Sequence, residues 1–515
     1  MKKIILALSI FACNIQSNAQ LDVVKTMNGL VSGTNNATGD IKIFRGIPFA
    51  APPVGDLRWK APQRAASWQG VKACDAFSAS PMQNKPSPFM MYTAEYLIPE
   101  KPISEDCLYL NVWTAAKSSK EKRPVIVWIY GGGFVSGGSA CAIYDGEQLA
   151  KKGVVFVSIN YRVGVFGFLA HPDLTKTSGG KSSGNFALLD QVAALQWVKE
   201  NIAAFGGDPG RITIAGQSAG AFSVNALMAS PLAKGLFQRA IAESGGMFNV
   251  DGRALSLQAA EDNGVKFMQS VHATSIGEMR KMSAADLQKA SGSFAASPVI
   301  DGYVLPASVY DIFSSAKQND VPLLTGWNGD EGFPPQTVPT PEAYKTDAEK
   351  KYGSLAGEYL KAFPGSDEAE IKKSQFAYGR DNIFAWQNYT WAKMQSMHGK
   401  NKAYLYQFNH VAPAQEKWGA FHSSEICYAL HTLHTWQLPF TDEDHMLEEV
   451  MSSYWVNFAT TGNPNGKGLS NWEAFDPNQT QVMLLNTGKQ SMQLIAARAE
   501  LNFMDKYQDM LRKSK

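Results

Sequence analysis

Residues 211–221 read Arg-Ile-Thr-Ile-Ala-Gly-Gln-Ser-Ala-Gly-Ala, an apolar run that passes through Gly216-Gln217-Ser218-Ala219-Gly220 into an amphipathic stretch. A strand that enters a helix through G-x-S-x-G makes a tight, strained turn, and that turn lifts a serine hydroxyl above the sheet edge. The glycines leave room for it. The bare pattern is weak. Gly180-Lys181-Ser182-Ser183-Gly184 also matches, but it follows Asp173-Leu-Thr-Lys-Thr-Ser-Gly179, which cannot be a strand. Context selects Ser218.

Outward from this turn, short all-apolar runs recur at 108–113, 125–130, 154–160, 212–215, 239–242 and 321–324. Helical patterns separate them, so the fold class is α/β, a large and mostly parallel sheet covered by helices on both faces. The clearest helix is 185–202, with Phe186, Leu189, Val192, Ala193, Leu195 and Trp197 expected largely on one side. From 335 to 400 the chain turns helical and more polar, which predicts helical cap excursions. Further strands are expected at 403–408 and 481–485, and a terminal helix at 497–511. The Pro-, Met- and Ser-rich stretch 78–102 reads as a long surface loop.

Lys2 and Lys3, the apolar run 4–13 and the small residues 17–19 form the pattern of a signal peptide cleaved before Gln20. Lipoprotein processing at Cys13 is the alternative, with Phe11 a poor match. Residues 20–515 then form a single domain, secreted or periplasmic, with no transmembrane segment. The 48 basic side chains include the two leader lysines; without those they equal the 46 acidic ones. Neutrality argues against nucleic acid or an anionic membrane as partner. Cys74, Cys107, Cys141 and Cys427 remain, in no zinc or redox spacing. His431 and His434 lack a third ligand nearby, so no metal is expected.

A nucleophilic serine needs a base to take its proton and an acid to orient that base. With this elbow the chain order is serine, acid, histidine. After the strand at 321–324, Asp330 and Glu331 offer two carboxylates. Downstream histidines stand at 272, 398, 410, 422, 431, 434 and 445, and order alone does not choose among them. Gly131-Gly132-Gly133, after the strand ending at Tyr130, reads as a loop whose backbone amides could stabilise an oxyanion.

The chain resembles the type-B carboxylesterase/cholinesterase family of α/β-hydrolases. The resemblance rests on Phe44-Arg-Gly-Ile-Pro-Phe-Ala50, Ser104-Glu-Asp-Cys-Leu-Tyr-Leu-Asn-Val-Trp113, Tyr130-Gly-Gly-Gly-Phe134, Asn160-Tyr-Arg-Val-Gly164, Phe205-Gly-Gly-Asp-Pro209 and Tyr454-Trp-Val-Asn-Phe-Ala459. It implies a cofactor-independent serine hydrolase of small-molecule carboxylic esters. Its catalytic residues would be Ser218, Glu331 and His422, and its oxyanion hole Gly132, Gly133 and Ala219. Asp330 and His410 are the alternatives for acid and base. It also implies a Cys74–Cys107 disulfide, free thiols at Cys141 and Cys427, and buried pairs Arg45–Glu105 and Arg162–Asp190.

Departures from the family pattern shape the expected specificity. Gln217 replaces the usual Glu before the serine, no Trp stands between Cys74 and Cys107, and Pro334 and Pro335 occupy aromatic positions after Glu331. Losing cation–π partners and a negative charge removes the attraction for choline esters. Phe294, with Gly292 beside it, is expected to line a roomy acyl pocket. The expected substrates are therefore neutral short- to medium-chain esters. A lipase acting on longer chains, or a non-catalytic cholinesterase-like binding protein, are the rivals.

Overall fold

A computed structural model describes residues 21–179, 183–250 and 252–514. The expected leader at 1–19, with Cys13, and Ser182 of the second G-x-S-x-G match lie outside the described residues. At the centre is an eleven-stranded sheet. In chain order its strands are β1 (Thr34–Asn35), β2 (Lys42–Pro48), β3 (Tyr109–Thr114), β4 (Arg123–Ile129), β5 (Val155–Ile159), β6 (Gly207–Gln217), β7 (Arg239–Glu243), β8 (Leu323–Asn328), β9 (Ala403–Phe408), β10 (Gln481–Leu485) and β11 (Ser491–Leu494). Their spatial order is β11-β10-β9-β8-β7-β6-β4-β5-β3-β2-β1. Every pairing from β5 across to β10 is parallel. Only the margins are antiparallel.

The burial of these strands explains their composition. All five residues of β5 and all six of β8 are buried, because helices cover both faces. β6 runs two residues beyond the expected 212–215, to Gln217, so the strand delivers Ser218 directly. The antiparallel edge strand β11 was not foreseen; two of its four residues are exposed, and it carries little apolar signal.

Two helices set the site. Helix α1 (Phe186–Asn201) was expected to be one-sided, but Ala187, Leu188, Asp190, Gln191, Ala194 and Val198 are buried as well, whereas Leu189 and Ala193 are only half-buried. The helix is enclosed on most of its circumference, so its apolar periodicity is blurred. Helix α2 (Ala219–Ala229) follows the serine, and all eleven of its residues are buried. Each large apolar side chain so enclosed, such as Phe222 or Leu227, contributes about 1.5–3 kcal/mol. The excursion expected over 335–400 is Pro341–Tyr352, Ala356–Ala362, Glu368–Arg380 and Trp386–His398. Among the described residues no helix is long and apolar enough to cross a membrane.

Two expected pairings are corrected. Glu105 is held by Arg58, at 2.6 and 2.5 Å, and not by Arg45. The Arg45 guanidinium lies over the Phe77 ring instead, 5.1 Å from its centroid. Arg162 and Asp190 do pair, through two bonds of 2.7 Å. Cys74 and Cys107 are separate buried thiols, as are Cys141 and Cys427, so the expected disulfide is not formed. The two sulfurs face different surroundings: Cys107 feels Asp190 and Arg162, whereas Cys74 feels Lys72 and Asp75. Burial raises both thiols, Cys74 to about 11.

Candidate active site

Ser218 sits at the end of β6 with φ 56° and ψ −123°, a strained conformation for a residue with a side chain. Its amide donates to Glu243 O at 2.9 Å, and its carbonyl accepts from Phe222 N at 2.9 Å, so strand and helix hold the strain from both sides. The elbow nests against the end of β4. A Cβ on Gly220 would collide with Ile129 O, which is why small residues flank the serine. Ser218 remains half-buried, facing a cavity of about 810 Å³.

The loop after β4 forms the next wall. Gly132 has φ 109° and Gly133 φ 63°, the left-handed region open to glycine. Gly132 O accepts from the amides of Val135 and Ser136, each at 3.1 Å, which fixes the loop. Among the described residues neither the Gly132 nor the Gly133 amide donates to a protein group. Ala219 opens α2, where a backbone N–H has no intrahelical acceptor. The three expected oxyanion donors therefore come from the glycine loop and a helix N-terminus, both adjoining Ser218.

β8 ends at Asn328 and hands over to the acid loop. Glu331 is fully buried, and its Oε1 accepts from Asn328 N at 2.9 Å. Its Oε2 lies 2.8 Å from Nδ1 of His422. Asp330 points elsewhere: it is exposed, and its Oδ2 accepts from Ala420 N at 3.0 Å. His410 is engaged by Asp444 at 2.6 Å, the same carboxylate that caps the helix Asp442–Thr461. Geometry brings Glu331 to His422 and leaves both alternatives outside the site.

His422 lines the cavity with Ser218. Among the described residues the two make no direct hydrogen bond; Gln217 Nε2 instead lies 3.4 Å from both ring nitrogens. Catalytic contacts are often long before substrate binds. Burial lowers His422 to about 4 and raises Glu331, against which the Asn328 amide and Arg380 favour the carboxylate. The imidazole is therefore neutral at pH 7 and able to accept a proton.

Several residues of the site escaped the sequence reading. Phe384, in the π-helical turn Asp381–Ala385, stacks on His422 with centroids 4.2 Å apart and planes at 21°. It lies 38 residues from the histidine in sequence, so no motif could link them. Phe333 stands two residues after Glu331 and lines the cavity, an aromatic overlooked beside Pro334 and Pro335. The stretch 78–102 is a wall of the site as well as a surface loop. Its Tyr92 hydroxyl donates to His422 O at 3.2 Å, and Tyr96 packs edge-on to Trp436 at 5.3 Å. Gln217, Gly292 and Phe294 line the cavity as expected. Glu425 is fully buried and bonded to Asn328, away from the cavity surface.

Residues 20–504 match the carboxylesterase family. The chain is 35% identical to a fumonisin B1 esterase of Sphingopyxis macrogoltabida over 88% of its own length and 84% of that protein's. It is 33% identical to the para-nitrobenzyl esterase of Bacillus subtilis, over 90% of this chain and 95% of the relative. A solved thermophilic PNB esterase superposes with a TM-score of 0.81 at 31% identity, over 94% of this chain and all of the other. Similarity of this extent, in a chain whose sheet, elbow and histidine loop are built as described, leads to one conclusion: the chain belongs to the carboxylesterase family of α/β-hydrolases and is a carboxylic ester hydrolase.

Proposed function

We propose that Ser218 attacks the ester carbonyl while His422 takes its proton and Glu331 orients the imidazole. Proton transfer creates an imidazolium whose charge lies beside the Glu331 carboxylate. The tetrahedral oxyanion is received by the amides of Gly132, Gly133 and Ala219. The alcohol departs with the proton from His422, leaving an acyl-enzyme on Ser218. Water activated by the same histidine then releases the acid. The observation that carries this reading is the 2.8 Å contact of His422 Nδ1 with Glu331, on the wall of the cavity onto which the strained Ser218 opens.

The substrate reading is a neutral short- to medium-chain ester, hydrolysed by an exported enzyme. Support comes from a cavity of about 810 Å³ in which, among the described lining residues, none carries a carboxylate. The leader-like pattern at 1–19 supports export.

The test is active-site labelling. An organophosphate should add mass to the one peptide that contains Ser218, and Ser218→Ala should lower kcat by a factor on the order of 10⁶. Labelling of another serine, with S218A still turning over, would transfer the role.

A further inference from the structure

Arg253 lines the ester cavity beside the oxyanion loop. Its Nη1 lies 3.4 Å from Gly133 O, and its guanidinium carbon stands 5.1 Å from the Phe222 ring centroid and 6.0 Å from that of Phe134. Both rings are buried, so the guanidinium rests on a fixed apolar floor. Among the described residues no carboxylate lies within ion-pair distance of it. Lys85, the other permanent cation of the cavity wall, is paired with Glu100 at 3.3 Å. Arg253 is exposed at the cavity, where its charge meets solvent and the Gly133 carbonyl. Among the described residues the weak bond to Gly133 is the one protein hydrogen bond of its side chain, and the other N–H donors form a fork that matches a carboxylate.

The position assigns the side of the substrate. Gly133 belongs to the loop that receives the carbonyl oxygen under the reading above. The Arg253 carbonyl accepts from Ser297 Oγ, tying the residue to the segment that carries Gly292 and Phe294. That wall is where the acyl chain is expected to lie.

We propose that Arg253 receives a carboxylate at the far end of the substrate's acyl chain, so that the preferred esters are half-esters of dicarboxylic acids. The proposal rests on the ester-hydrolase reading and replaces its expectation of neutral substrates with an anionic one. Water cleaves the acyl–oxygen bond as in any ester, releasing the alcohol and a dicarboxylate.

The test compares kcat/KM for monobenzyl glutarate with that for benzyl pentanoate, followed by release of benzyl alcohol. The two have acyl chains of equal carbon count and differ at the chain end, carboxylate against methyl. The wild-type enzyme should favour the half-ester at least tenfold, and added salt should erode that ratio. Arg253→Met should lower the ratio at least tenfold, and Arg253→Lys should retain part of it. Cleavage of benzyl pentanoate reports that each variant is folded. A wild-type ratio of one or less, or a ratio unchanged in R253M, overturns the role of Arg253 while leaving ester hydrolysis in place. Failure to cleave either ester overturns the catalytic reading itself.

Discussion

His422 is buried among Phe384, Gln217 and Glu331, and its protonation state governs the first step. Its usual pKa of about 6.5 applies to an imidazole in water. Burial is the largest influence on it here, with Arg253 acting in the same direction and Glu425 opposing. A base works only when neutral, so lowering its pKa extends activity to lower pH. The acid limb of the kcat/KM profile should have its midpoint below 6.5, displaced toward 4. A midpoint above 6.5 would show that the Glu331 carboxylate outweighs desolvation. At this scale the serine was legible in one short motif, because an elbow is local chemistry. The histidine was not. Six histidines downstream of the acid satisfied the chain order; only the family resemblance chose His422, and the fold then showed that Asp444 already holds His410.

The element that positions the histidine is the π-helical turn Asp381–Ala385, between the helices Glu368–Arg380 and Trp386–His398. A π turn widens the helix locally, and such turns recur at functional sites. Here it places Phe384, 3% exposed, flat against the imidazole. Phe384→Ala should cost about 3–5 kcal/mol of stability, as large-to-small changes in cores do. Phe384→Leu fills most of that volume without a flat ring, so it should remain folded yet lose roughly 10–100-fold in kcat, with KM changed far less. Urea unfolding together with steady-state kinetics separates the two effects, and wild-type turnover in F384L would reduce the ring to filler. Strands such as β9 and β10 were readable to the residue because each is a bounded apolar run. Helix α1 misled because enclosure on most sides removes the one-sided pattern on which a periodicity argument depends.

Across the whole molecule, formal charge is almost balanced, yet the cavity is not. Among the described residues its lining holds Lys85, Arg253 and His422 with no acid, the three buried carboxylates nearby, Glu243, Glu331 and Glu425, lying behind its surface. A cationic substrate therefore gains nothing from this wall, although Phe89, Tyr92 and Phe333 supply aromatic faces. Butyrylcholine should show a kcat/KM no higher than that of its uncharged isostere, 3,3-dimethylbutyl butyrate. A tenfold advantage for the cation would mean that those aromatic faces, worth ~0.5–2 kcal/mol each, outweigh the missing charge. By itself the sequence determined the α/β class, the elbow at Ser218 and the glycine loop, since each is written in contiguous residues whose local sterics or periodicity leave few alternatives. Tertiary structure alone decided that Glu105 pairs with Arg58, that Cys74 and Cys107 stand apart, that Phe384 supports His422 and that Arg253 faces the ester cavity. These are contacts between residues far apart in the chain, and they depend on where the sheet's crossovers bring the loops together, a matter of three-dimensional packing that no local pattern encodes.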